Sequence, residues 1–271
     1  MPITPTETLD AALNILAGGD FDIDLPELPL NANERVIEVP WATAMLRTQK
    51  RILDIGFTFA DADYLGLLLA LRRAGASLDA IDIIEPARVA ARYPDAWREE
   101  ILGVPVRVGD VRAMALPEAA YDAAALISVI EHVGFDAPAP AGDKSAFDRP
   151  AARADAPLAR DGDADKHVME KLAAALAPGG RAVLTVPMGE GGARATQDSL
   201  GRWASYWLYS EDCFAGLAAS SGFAVEERRF FRRQDGAWRE VGSAKAMRKA
   251  GVDEKGLPEG CGLLALRRLA A

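Results

Sequence analysis

The sequence holds two cysteines, two histidines and no long apolar run, and each shortage excludes something. Cys213 and Cys261 lie far apart and match no metal or redox spacing, so a reducing, cytoplasmic setting is expected. No stretch approaches the roughly 18 consecutive apolar residues of a spanning helix, so no membrane association is expected. The first twenty residues, MPITPTETLDAALNILAGGD, lack the cationic start of an export signal. Basic residues are also scarce: 31 Lys and Arg stand against 40 Asp and Glu. The resulting net charge of −9 disfavours a surface built for nucleic-acid phosphates or anionic lipid. The run Arg228-Arg-Phe-Phe-Arg-Arg233 mixes cations with aromatics as single-strand binders do, but within a predicted strand of an acidic chain it reads as a solvated face.

What is present is ordinary globular material, half hydrophobic and 26% charged, in a length that suits one α/β domain. Five apolar, β-branched runs predict strands: 51–56, 78–84, 104–110, 123–130 and 182–187. Helical patterns follow several of them, over about 63–74, around Trp97 and over 167–177, the last stopped by Pro178-Gly-Gly. Alternating strands and helices predict a doubly wound, mostly parallel sheet covered on both faces. After residue 187 the rhythm changes to a helix near 210–221 and strands near 223–231 and 263–267. The first fifty residues read as a strap, ordered over Glu34–Trp41, that enters the first strand. Residues 136–165, rich in Ala, Pro, Asp and Arg, read as an insertion, either disordered or a lid.

In open α/β sheets a ligand sits beyond the carboxyl ends of the strands, so those ends carry the candidates. Gly56 lets the chain turn closely past a ligand, and Asp54, two residues earlier, either faces that ligand or holds the strap before the first strand through hydrogen bonds. Asp82 ends the second run and is placed to accept hydrogen bonds from two ribose hydroxyls, with Glu85 as reserve or as a helix-start residue. Asp110 follows Gly109 and either takes an amino proton of a base or caps a turn. The fourth run leads into Ser128-Val-Ile-Glu131-His132, which brings titratable groups to the mouth of the cleft. His132 is the candidate general base, set against a purely structural histidine, while His167 is assigned no role. Glu131 and His132 find no third or fourth ligand nearby, so no metal is expected. Trp41 and the aromatics Trp203, Tyr206, Trp207 and Tyr209 either line a substrate pocket or pack in the core.

The ordered set ILDIG, AIDI, VGDVRAMALPEAAYD, SVIEHVG and LAPGGRAVLTVP resembles class I S-adenosylmethionine-dependent methyltransferases over about residues 34–267. Within that class, VIEVPW and DGDADKHVMEKL look like a bacterial subgroup acting on small molecules or sugar-derived substrates. The resemblance implies a seven-stranded sheet ending in an antiparallel hairpin, with S-adenosylmethionine as cofactor. It places the cofactor along Asp54, Gly56, Phe57 and Thr58, then Asp82 and Ile83, then Gly109, Asp110 and Val111, and finally Ser128. It implies methyl transfer to an oxygen or nitrogen of a small-molecule or sugar-derived acceptor, with His132 catalytic and Trp41, Glu131 and Tyr209 beside the substrate. One departure stands out: Thr58 and Ala60 occupy positions where this family carries glycines, with Thr58 Oγ a further hydrogen-bonding group there. That departure motivates the alternative of a catalytically silent binding or scaffolding protein with the same fold. A nicotinamide oxidoreductase is disfavoured because the first turn lacks G-x-G-x-x-G.

Overall fold

A computed structural model of the chain describes residues 7–21, 32–135, 160–197, 203–220, 222–252 and 257–270. The strands form near the predicted runs: β1 (Arg51–Ile55), β2 (Ser77–Asp82), β3 (Val106–Val108), β4 (Tyr121–Ile127) and β5 (Leu176–Pro187). β5 starts six residues earlier than expected, so Pro178-Gly-Gly lies within it and the preceding helix already ends at Ala175. These five pair in parallel, in the order β3-β2-β1-β4-β5. The order reverses at β1, which lies between β2 and β4, and that reversal opens the crevice where such sheets take ligands. β10 (Gly260–Arg268) inserts antiparallel between β5 and β8 (Phe223–Gln234), and β9 (Ala237–Glu240) adds an edge. The expected seven strands are therefore eight, the extra one being the short β9.

Side chains alternate across β1 as a strand requires. Ile52 joins a core with helices α1 (Glu7–Leu16), α2 (Arg35–Leu46), α3 (Ala62–Arg73) and α4 (Arg98–Leu102). Leu53 and Ile55 join a second core with α5 (Ala164–Ala175) and α6 (Glu211–Ala218) on the other face. Asp61 starts α3 by accepting from the Tyr64 amide, and Ser210 does the same for Cys213 in α6. Both faces of the sheet are thus covered, as a parallel sheet demands.

Two segments depart from the sequence reading. The strap over Glu34–Trp41 is helix α2, even though Pro40 lies inside it and removes one backbone donor. Burial outweighs that loss: Val36, Ile37, Val39, Trp41, Ala42 and Leu46 all enter the core. The aromatic stretch after residue 200 lies in a separate hairpin, β6 (Gly192–Gln197) with β7 (Trp203–Leu208). Of the insertion or lid expected over 136–165, residues 136–159 lie outside the described residues. Its end is tied down by Arg160, which donates to the carbonyls of Ile130 and Val133 and pairs with Asp165. Among the described residues no helix is long and apolar enough to cross a membrane.

Candidate functional site

The loop after β1 is built around one glycine. Gly56 sits at φ 94, and a Cβ there would lie 2.3 Å from Val129 Cγ2, so both conformation and space require glycine. A short 3₁₀ turn, Phe57–Phe59, follows. The Phe57 ring is withdrawn into the core, which leaves only its backbone on the loop. Thr58 is fully buried; its amide donates to Asp82 Oδ2 at 2.8 Å and its hydroxyl donates to the Ile84 carbonyl at 2.7 Å. The hydroxyl expected to face a ligand is thus spent within the chain, and it explains the missing glycine: Thr58 ties the first loop to the second. Asp82 Oδ1 accepts from the Ile84 amide at 3.1 Å. Burial raises the Asp82 pKa to about 6 despite these bonds. Beside it Ile83 projects into solvent at 47% exposure, and Glu85 is exposed at the start of the next 3₁₀ segment, as expected of a helix-start residue.

Asp54 is wholly buried and faces α3, where the Tyr64 hydroxyl donates to Oδ1 at 2.6 Å. Its Oδ2 has no hydrogen-bond partner among the described residues. Burial lifts this carboxyl to about pKa 7. Asp110 corrects the sequence expectation: both its oxygens accept from the Arg112 guanidinium, and Oδ1 also accepts the Arg112 amide. The turn-cap alternative is the one the structure shows, and little acceptor capacity remains for a base amino group. The Gly109 amide donates to the Asp82 carbonyl, while Val111 is buried in the second core.

Across Val129 the surroundings change. A cavity of about 110 Å³, open to solvent on one side, lies beyond the carboxyl ends of β4 and β5. Its walls are α2, the turn Ser128–His132, β7 and the start of β10. Ser128 holds φ 50, a left-handed conformation costly for a residue with a Cβ. Its amide donates to Thr185 Oγ1 and its hydroxyl donates to Glu38 Oε1 at 2.7 Å. Glu38, fully buried, also accepts from Arg35 at 2.8 Å, and Arg35 pairs with Asp61 at 2.6 Å. Glu131 is 3% exposed and its Oε2 has no hydrogen-bond partner among the described residues. Desolvation, then the nearby Glu38, holds its pKa well above the carboxylate range. Glu34, at the rim, is raised to about 7 for the same reasons.

His132 reaches this cavity with its ring accessible, although protein atoms crowd around it. Nδ1 lies 2.9 Å from the Ser205 carbonyl; a carbonyl only accepts, so Nδ1 carries the proton and Nε2 keeps its lone pair. Desolvation lowers the His132 pKa, so the ring is a neutral base at pH 7.

The structure brings Ser128, Glu131 and His132 together, but it removes two residues expected beside them. Trp41 is in the core, its indole donating to Glu227 at 3.2 Å. Tyr209 is fully buried, its hydroxyl donating to Asp165 and accepting from Arg160. In their place stand Glu34, Arg35 and Glu38, and Tyr206 alone of the aromatic cluster. Glu34 and Arg35 each lie one helical turn before Glu38, and only a helical reading of ERVIEVPW would have gathered them on one face. Among the described residues no three His, Cys, Asp or Glu side chains form a group able to hold a metal.

No family model and no curated protein matches this chain. Solved structures do. A SAM-dependent methyltransferase from Methanosarcina mazei aligns over 86% of this chain and 98% of its own, at 15% identity and a TM-score of 0.52. The [4+2]-cyclase SpnF aligns over 100% and 99% of the two chains, at 16% identity and a TM-score of 0.51. A Burkholderia thailandensis 1,6-didemethyltoxoflavin N1-methyltransferase, crystallised with that compound and S-adenosylhomocysteine, aligns over 84% and 74%, at 19% identity and a TM-score of 0.47. The chain has the class I methyltransferase fold.

Proposed function

We propose that this chain is an S-adenosylmethionine-dependent methyltransferase of the cytoplasm that modifies an oxygen or nitrogen of a small-molecule or sugar-derived acceptor. The observation that carries this reading is the cavity beside the strand-order reversal, lined in part by charged side chains and with the neutral His132 base at its wall. The cofactor residues fit the group: Gly56 leaves no room for a Cβ, Asp54 keeps one buried oxygen unpartnered, and Ile83 offers an exposed apolar side chain. Asp82, whose oxygens accept from the Thr58 and Ile84 amides, is the proposed acceptor for the ribose hydroxyls. When bound, the sulfonium supplies an electrophilic methyl group. The chain itself then positions the acceptor and excludes water, and His132 Nε2 takes the acceptor's proton. Two free cysteines, Cys213 and Cys261, suit a reducing compartment.

One observation favours the silent alternative: Thr58 and Asp110 spend their polar groups inside the chain. The fold does not decide the matter, since one of its members is named a cyclase. Calorimetric titration with S-adenosylmethionine, S-adenosylhomocysteine and NADH separates the readings. The proposal expects saturable binding of the first two and none of the third. Absence of heat with both sulfur ligands rejects it.

A further inference from the structure

The cavity wall carries more negative than positive groups, and the imbalance is specific. Arg35 is the only cation on the wall among the described residues, and two carboxylates, Glu38 and Asp61, already pair with it. Arg160, behind His132, gives its charge to Asp165. Glu34 and Glu131 therefore feel Arg35 only at a distance, with its guanidinium already engaged by Glu38 and Asp61. Glu131 Oε2 is also buried with no hydrogen-bond partner among the described residues, so nothing there offsets its desolvation until a donor arrives. The ring of Tyr206 forms part of the same wall, tilted 58° to His132 at a centroid distance of 6.4 Å. A buried acceptor without a donor and an aromatic ring are the two features that receive an ammonium group.

We propose that the acceptor taken by this cavity carries a protonated amine, held by the Glu131 carboxyl beside the Tyr206 ring. The proposal rests on reading the cavity as the acceptor site. A neutral polyol donates to Glu131 equally well, but it brings no charge to offset the ionisation of Glu131 and Glu34 that burial opposes. An amine compensates both, because its arrival favours the ionised forms of Glu131 and Glu34. The groups that bear on Glu131 are Glu34, Arg35 and Glu38 of α2, His132 beside it, Cys261 of β10 and Tyr209 after β7. Arg35 alone of these is cationic at pH 7, since desolvation keeps His132 neutral and Cys261 protonated. Glu34, at about 7, is largely neutral at pH 6 and largely ionised at pH 8, so amine binding strengthens as the pH rises through that range.

Saturation-transfer NMR on the full chain tests this with two pairs of probes: cyclohexylamine against cyclohexanol, and benzylamine against benzyl alcohol. Both amines stay protonated over the range used. At pH 8 each amine should bind about tenfold more tightly than its alcohol. That preference should fall at least about fivefold at pH 6 and by a similar factor in Glu131→Gln, which mimics the protonated side chain. Should Glu131→Gln not fold, Glu34→Gln at the rim carries the same comparison. Alcohols binding as well as the amines, no amine bound at either pH, or a preference indifferent to these substitutions would overturn the proposal. The probes need no cofactor, so this failure is distinct from a failure to bind S-adenosylmethionine.

Discussion

The two sides of the crevice treat their polar groups differently. Along β1–β3 the chain satisfies its own loops: Thr58 bonds to Asp82 and Ile84, and Asp110 bonds to Arg112. Beyond β4 it holds Ser128 at φ 50, keeps a buried Glu131 oxygen unpartnered and gathers carboxylates around one arginine. Bonds within the chain fix a loop's shape before any ligand arrives, which suits a cofactor bound through backbone and a carboxylate. Strain and unpartnered groups mark where a ligand gains most, because it removes a cost already present in the free protein. Asp54 is the exception on the first side, and its free Oδ2 is therefore the point there most open to a ligand donor.

Three substitutions break or sharpen this contrast, from the largest effect to the smallest. Asp82→Ala removes the acceptor for the Thr58 and Ile84 amides together with the proposed ribose ligand. Calorimetry should show S-adenosylhomocysteine affinity weakened by about 2–4 kcal/mol, with unfolding stability lower by about 1–3 kcal/mol. An unchanged affinity with lowered stability would make Asp82 a loop fastener only.

His132→Gln belongs to the other side and should leave cofactor affinity intact while lowering kcat by roughly 10²-fold. Because the crowding protein atoms desolvate His132 and depress its pKa, the rising limb of the wild-type pH profile should lie below 6.5 and vanish in the variant. A variant that retains most of its kcat at every pH would return His132 to a structural role.

Asp54→Asn has the smallest effect, and it is read on stability. The carboxyl titrates at about 7 in the folded chain and near 3.8 when unfolded. The folded state therefore binds more protons between those values, and stability falls as pH rises from about 4 to 7. Asparagine removes that cost while its Oδ1 still accepts from Tyr64. Urea unfolding should show a gain on the order of 1–3 kcal/mol at pH 8 and almost none at pH 4, since each pKa unit is about 1.4 kcal/mol. A loss at both pH values would show that the ionised carboxylate is held by a partner.

The parallel sheet was legible because its strands are short apolar runs bounded by turn residues, and the strand ends pointed to Gly56, Asp82, Ser128 and His132. Helix α2 was not, because β-branched Val36, Ile37 and Val39 beside Pro40 carry the local signature of extended chain. With that helix hidden, the Arg35–Glu38 pair and the acidic wall of the cavity stayed hidden too. The Thr58–Asp82 link was illegible for another reason: it joins two loops 24 residues apart, and no local periodicity encodes such a bond. Trp41 and Tyr209 show the limit of residue type, since an aromatic near a cleft in sequence lies in the core whenever its polar atom finds a partner there.

The central claim is that the cofactor lies over the loops after β1 and β2, with the acceptor across Val129. Amide hydrogen exchange with and without saturating S-adenosylhomocysteine tests it most directly. The account predicts added protection at residues 56–60 and 83–85, with little change along β8 and β9. Protection confined to the cavity residues of α2 and β10, or binding that leaves the Gly56 and Ile83 loops unchanged, would contradict it.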